Sequence, residues 1–254
     1  MDNLIVHFKG EEEFVKRMLS IIDHVSVQQT FYLSGFLSPY HQSIVKALIG
    51  RNHDLKAEFY GGIENAEMQR CLIAPSYFSL NLEDYEICVF EVLYPSKFET
   101  LKHSDILGAL MALGIKRELF GDIVIHDGIY FACDKQVSRL LEMDFKSAGR
   151  AKVRLKETDQ TITSQIDYQI KTFFVRSFRL DVLLAAFYRL SRNEVNRYIQ
   201  AGFVKVNHKE VVENNFLCNN NDVISFKRHG RVKLVDSMRL TKQGNHVVEG
   251  YFYK

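Results

Sequence analysis

Cysteine is scarce in this chain. Four stand among 254 residues (Cys71, Cys88, Cys133 and Cys218), and none belongs to a Cys-x-x-Cys pair. Such spacing argues against a zinc site and a disulfide framework; isolated thiols of this kind are expected reduced and buried in a cytoplasmic protein. No apolar run approaches membrane-spanning length, so no membrane partner is expected. The opening MDNLIVHFKGEEEF lacks the basic start and small-residue cleavage site of a signal peptide. Also missing are a GxGxxG loop, a P-loop lysine and an HExxH pair, so neither a nucleotide cofactor nor a catalytic metal is expected.

What remains is ordinary in bulk: 46% apolar and 25% charged residues, in a chain long enough for two or three domains. The net charge of +2 conceals a division. From Arg176 onward there are 14 Lys and Arg against 7 Asp and Glu, whereas the first 175 residues hold 19 against 24. A basic surplus confined to one end suits a phosphate-rich partner, because phosphate contacts release counterions.

The basic end is also the most patterned. Leu180, Leu183, Leu184 and Phe187 stand at i, i+3, i+4 and i+7, one helical stripe. Ser191 and Glu194 have the spacing of a capping box that opens a second helix, with Val195 and Ile199 on its buried face. Gly202 follows the last turn, where a left-handed backbone costs least. Val204 and Val206 then alternate with Lys205 and Asn207, as in a half-buried strand.

Earlier segments read as two further units. Residues 1–75 suggest a small α/β unit. Phe14, Met18, Leu19 and Ile22 lie at helical spacing, Ser38-Pro39 starts a second helix, and LKAEFY is a strand ended by the Gly61-Gly62 turn. Residues 76–157 predict βαββαβ order, the ferredoxin-like pattern shared with RRM-type RNA binders. In that unit Ser104 is the expected helix cap, Asp127-Gly128 a two-residue hairpin turn, and RAKVRLK the last strand. Tyr130 and Phe131 are assigned to core or edge packing, since the RNP sequences of an RRM are absent. Residues 158–175 read as a linker in which YQIKTFFV is a weak strand. Residues 176–254 form the C-terminal domain, its sheet extended by the strand-like runs beyond Arg231.

Arg179-Leu180-Asp181, Ser191-Arg192 and Gly202-Phe203-Val204-Lys205-Val206-Asn207 resemble the RNA-binding domain of ribosomal protein S-four, as does Asp222-Val223-Ile224. His208 and Asn221 stand where that family has glycine. A second resemblance covers nearly the whole chain. LKHSDILGALMALGIKRELFGDIVI, ahead of such a C-terminal domain, is similar to the YlmH family of bacterial proteins. The resemblance implies an α+β fold with a C-terminal S-four-type (alpha-L) domain. It also implies a cytoplasmic, non-enzymatic protein that binds ribosomal RNA and tRNA. The implied target is the large ribosomal subunit obstructed by peptidyl-tRNA, where the family supports C-terminal tailing of the stalled chain. A monomer in solution is expected.

Arg179 and Arg192 are placed at the entrance between the two helices, with Arg197 extending the positive face. Lys205, Asn207 and Lys209 line the adjoining strand and turn, and Arg228 and Arg231 close over a backbone from the KRHGR loop. The alternative is an RNA-modifying enzyme that uses the binding domain for docking; pseudouridine synthases also have an Arg-Leu-Asp motif, around a catalytic Asp. Here that motif opens the binding-domain helix, and too little chain follows Asn207 for their catalytic domain. Of the acid–base pairs, His103 with Asp105 and His126 with Asp127, the aspartates fit a helix start and a turn. A protein-interaction scaffold is the third reading.

Overall fold

The computed structural model describes Phe8 and residues 10–50, 52–164 and 167–253. The opening stretch read for a signal peptide lies, up to residue 7, outside the described residues, as do residues 165 and 166 of the expected linker. The chain divides into two compact units, Met1–Gln165 and Ile166–Lys254.

The first unit contains a three-stranded sheet, a four-stranded sheet and a two-stranded ribbon among its described residues. Helix α1 (Glu12–Gln28) carries Glu12 and Glu13 in its first turn, complementing the helix dipole, and buries Val15, Met18, Ile22 and Val25. Phe14 and Leu19 are only half-buried against the same core. Helix α2 (Pro39–Ile49) starts as expected: the Ser38 hydroxyl accepts the His41 N–H, and Pro39 takes the first helical position. Both pack on an antiparallel sheet of β1 (Tyr32–Leu37), β2 (Leu55–Tyr60) and β3 (Gln69–Pro75), ordered β1-β3-β2.

The second sheet of this unit holds β4 (Ile87–Leu93), β5 (Phe120–Ile125), β6 (Ile129–Asp134) and β9 (Arg154–Glu157). Its order, β5-β6-β4-β9 and all antiparallel, is that of a split-βαβ ferredoxin-like fold. Helices α3 (His103–Ala112) and α4 (Lys135–Asp144) lie on one face over Phe90, Phe120, Phe131 and Phe145. A two-stranded ribbon of β7 (Ser147–Ala148) and β8 (Ala151–Lys152) precedes β9.

Two local expectations are corrected. Lys102, not Ser104, caps α3: the Asp105 carboxylate accepts the Lys102 N–H at 2.8 Å and does the capping from inside the first turn. The β5–β6 loop has three residues, His126–Gly128, because Ile125 pairs with Ile129. Gly128 is needed for closeness rather than for a left-handed backbone: a Cβ there would stand 2.8 Å from the Tyr130 ring.

The other face of this sheet is covered by the unit's own N-terminal part. Phe36, Ile63, Ala66 and Met68 pack on Ile87, Val89, Val124 and Ala132. Polar ties fix the join. Arg70, 5% exposed, pairs with buried Asp134 at 3.0 Å and donates to the Ser34 and Glu86 carbonyls. Asp122 accepts the Glu67 and Met68 amides. In the turn after β2 a Cβ at Gly62 would meet Ile87 at 2.5 Å, so the glycine lets the two sheets approach.

The second unit is a six-stranded antiparallel sheet ordered β10-β15-β14-β13-β11-β12, with two helices on its inner face. The strands are β10 (Tyr168–Val175), β11 (Val204–Val206), β12 (Lys209–Glu210), β13 (Val223–Phe226), β14 (Gly230–Leu240) and β15 (His246–Tyr253). The helices are α5 (Leu180–Tyr188) and α6 (Arg192–Gln200). The expected linker therefore contains an edge strand, β10, paired through eight residues with β15.

Candidate nucleic-acid interface

The second unit builds its charged surface on one buried carboxylate. Helix α5 is set in place by the Leu180 N–H, which donates to the Phe216 carbonyl at 2.8 Å, and by a bridge of Arg179 to Leu217. Asp181 then falls in the first helical turn with a side chain only 1% exposed. Ser191 opens α6 with the expected capping box: its hydroxyl accepts the Glu194 N–H, and the Glu194 carboxylate accepts the Ser191 N–H. That turn brings Arg192 to the Asp181 carboxylate.

Arg179 donates from Nε to Asp181 Oδ1 at 3.0 Å and from Nη2 to Oδ2 at 3.1 Å. Arg192 Nη2 donates to Oδ2 as well. The arginine side chains stay 40% and 58% exposed. Each guanidinium has five N–H donors, so most remain for a ligand while the forks are fixed in place. Burial alone would raise the Asp181 carboxyl, but the bonds from Arg179 and Arg192 outweigh it and hold the group below its ordinary value. Glu194 is also held low, by the Ser191 hydroxyl and then the Ser191 amide.

A second set of cations lies on the outer face of the sheet. Lys205 stands opposite Ser225, and Ser225 opposite Arg231, so the three share one cross-strand row. Arg231 lies over the Tyr253 ring, 4.3 Å from its centroid. The inward alternates Val204, Val206, Ile224, Phe226 and Val232 meet the helices. Lys209 follows in β12, and Glu210 is the cross-strand neighbour of Lys205. Arg197 is exposed in the last turn of α6, and Arg228 is exposed in the β13–β14 turn. Of the expected residues, Arg179 and Arg192 thus form a pair at the helix starts and Lys205 and Arg231 a row on the opposite sheet face, while Arg197, Lys209 and Arg228 belong to neither group.

Asn207 has a supporting place. Its amide nitrogen donates to Asp222 at 2.7 Å and its oxygen accepts the Val223 N–H at 2.8 Å, so both ends are engaged within the fold. The two positions where the S-four pattern has glycine, His208 and Asn221, indeed take positive φ, 69° and 71°. The sequence reading passed over Arg189, an exposed left-handed cap of α5, and His229, whose ring stacks on Phe226 with centroids 4.0 Å apart. The KRHGR run drew notice for its arginines; the stacking depends on a partner three residues back in β13 that periodicity does not pair with it.

Nucleophilic chemistry is ill served here. Both Asp181 oxygens accept guanidinium N–H groups and the side chain is buried, so it does not face a substrate base. Burial raises the thiols of Cys71 and Cys218 to about 12 and that of Cys88 to about 11. Among the described residues no cluster of His, Cys, Asp and Glu is placed to hold a metal ion. No helix there is long and apolar enough to cross a membrane.

A pair of fixed guanidiniums at two helix starts, over a small antiparallel sheet with a basic surplus, defines an RNA-binding module of the S-four class. Comparison with known proteins agrees. The S4 domain model matches residues 178–224, a model described as the putative RNA-binding domain in YlmH matches 81–162, and one described as YlmH, N-terminal, matches 10–78. "Ribosome-associated protein quality control protein P2" of Bacillus subtilis (strain 168) is 32% identical over 247 residues, 96% of each chain. Among solved structures, "Cell division protein ylmH from Streptococcus pneumoniae" is 30% identical with a TM-score of 0.51, covering 59% of this chain and 92% of that one. The chain belongs to the YlmH family.

Proposed function

We propose that this protein is a non-enzymatic, cytoplasmic RNA-binding factor of ribosome-associated quality control. It docks as a monomer on ribosomal RNA and tRNA of a large subunit obstructed by peptidyl-tRNA, and so supports C-terminal tailing of the stalled chain. The observation that carries the reading is the Asp181 clamp, which holds two guanidiniums part-exposed and pre-oriented at the α5 and α6 starts. Pre-oriented forks favour bidentate phosphate contacts, since little side-chain freedom is lost on binding. The name of the Bacillus subtilis relative, a ribosome-associated quality control protein, supports the ribosomal setting. Arg197, Lys205, Lys209, Arg228 and Arg231 extend the contact as phosphate-facing cations, and Asn207 supports the turn that carries them.

Crosslinking the protein to RNA in cells and sequencing the bound fragments tests the reading. Enrichment of large-subunit ribosomal RNA and tRNA is expected; fragments spread evenly over cellular RNA would overturn it. Nucleoside analysis of RNA incubated with the purified protein addresses the enzyme alternative. An unchanged nucleoside profile is expected, and a new modified nucleoside, pseudouridine included, would replace the binder with an enzyme.

A further inference from the structure

The first unit is acidic, yet one stretch of it is not. Residues 146–157 read KSAGRAKVRLKE, in which five cations precede the first acid, although residues 81–162 together hold 11 Lys and Arg against 14 Asp and Glu. From Arg150 to Lys156 the cations recur at every second position: Arg150, Lys152, Arg154 and Lys156. The intervening Ala151 and Val153 are buried, and Leu155 packs on the same core. All four cations are exposed, and none of their side chains takes part in a hydrogen bond or ion pair among the described residues. Lys152, Arg154 and Lys156 lie in strands, where the chain advances roughly 3.3 Å per residue and neighbouring charges stand roughly 6.6 Å apart; Arg150 precedes them in the β7–β8 turn. That separation is comparable with the spacing of successive phosphates along one nucleic-acid strand.

Two competing explanations are weaker. Edge strands often carry lysine to prevent pairing with other sheets, and β9 is an edge strand. That accounts for Arg154 and Lys156, and for Lys152 on an edge of the two-stranded β7–β8 ribbon, but not for Arg150, which stands in the ribbon's turn. The alternative RNA surface of a ferredoxin-like domain is its open sheet face, where aromatic side chains stack on bases. Here that face is occupied by Phe36, Ile63 and Ala66, and Phe131 is buried on the helix side. RNA binding by this unit is left with a backbone-reading surface.

We propose that Arg150, Lys152, Arg154 and Lys156 form a second RNA site, a sequence-independent track for the phosphates of one strand. It is distinct in residues and in mechanism from the Asp181-centred pair. The test uses the full chain. Ultraviolet crosslinking to a labelled twelve-nucleotide uridine oligomer, followed by mass spectrometry, should place nucleotides on peptides spanning 146–157 in the unaltered protein. Replacing all four cations by Gln should weaken binding of that oligomer at least tenfold and reduce the salt slope by about three, at about 0.7 ion per single-strand phosphate. A control with Lys16→Gln and Lys97→Gln, both exposed in the same unit, should change affinity less than twofold.

Crosslinks confined to the Ile166–Lys254 unit would overturn the track. So would an affinity loss no greater, per charge removed, than in the control. Self-association of the Gln variant at unchanged RNA affinity would assign the cations to edge protection instead. Loss of ribosome association at unchanged oligomer affinity would assign them to an acidic protein surface. The crosslinking arm needs no variant, so it reads out whether or not the substitutions are tolerated. It also stands apart from the helix-start pair: if that reading fails, crosslinks at 146–157 persist.

Discussion

Asp181 is the residue on which the candidate interface turns. Its carboxyl is held below the ordinary 3.8, so the stabilisation it contributes is full above that value and is lost as pH falls further through the depressed native value. The melting temperature of Asp181→Asn should therefore lie several degrees below that of the unaltered protein at pH 7. The gap should close as pH falls below about 3.8. A gap that stays constant down to pH 2 would mean that the carboxylate's charge does not hold the arginines. Arg70 makes the opposite case, a cation whose surroundings are fully buried. Its removal leaves Asp134 charged and unpaired, so Arg70→Ala should cost about 3–5 kcal/mol, with a fall in melting temperature on the order of 10 °C for the first unit. A loss under about 1 kcal/mol in a denaturant titration would refute that role.

At the scale of elements, legibility followed sequence distance. The stripe of α5, the Ser191–Glu194 box and the alternation of β11 all rest on contacts within a few residues, and the sequence displayed them. β10 showed itself only as the weak alternation of YQIKTFFV, since its exposed residues break the pattern, and its pairing did not show at all, because its partner β15 lies some eighty residues on. The two-residue turn expected at Asp127-Gly128 gave way to a three-residue loop, because the strand register pairs Ile125 with Ile129 and leaves His126 in the loop as well. Of the candidate site, the residue types and the placing of Arg179 and Arg192 together at the two helix starts were legible; that Asp181 is buried and holds both guanidiniums shows only in the fold. Nor could the pattern reveal that Asn207 is engaged on both ends, since its partners arrive fifteen and sixteen residues later. The join inside the first unit offers a test at this scale. A Cβ at Gly121 would approach Phe36 to 2.7 Å, so Gly121→Val should destabilise by about 1–3 kcal/mol through overpacking, read as a lower denaturation midpoint. An unchanged midpoint would show that the two sheets are free to part there.

Across the whole molecule the separation of charge sets the expected response to salt. The last 79 residues hold a surplus of seven positive charges over an otherwise acidic chain. Affinity for structured RNA should fall steeply with salt, and Lys205→Ala should lower the slope by about one ion or less. A flat response would reject phosphate-dominated binding. The clamp itself complicates the obvious variant. Arg179→Ala with Arg192→Ala strands a buried carboxylate, so a loss of ribosome association would be confounded by a loss of stability. Replacing the carboxylate as well avoids this, because exchanging a whole ion cluster for hydrophobic residues of similar volume is often close to neutral for stability. The most direct measurement is therefore sucrose-gradient sedimentation of Arg179→Met, Asp181→Leu, Arg192→Met with large ribosomal subunits, paired with a melting curve. The expected result is a melting temperature within a few degrees of the unaltered protein and loss of co-sedimentation; a folded triple variant that still travels with large subunits would contradict the placing of RNA recognition at the α5 and α6 starts.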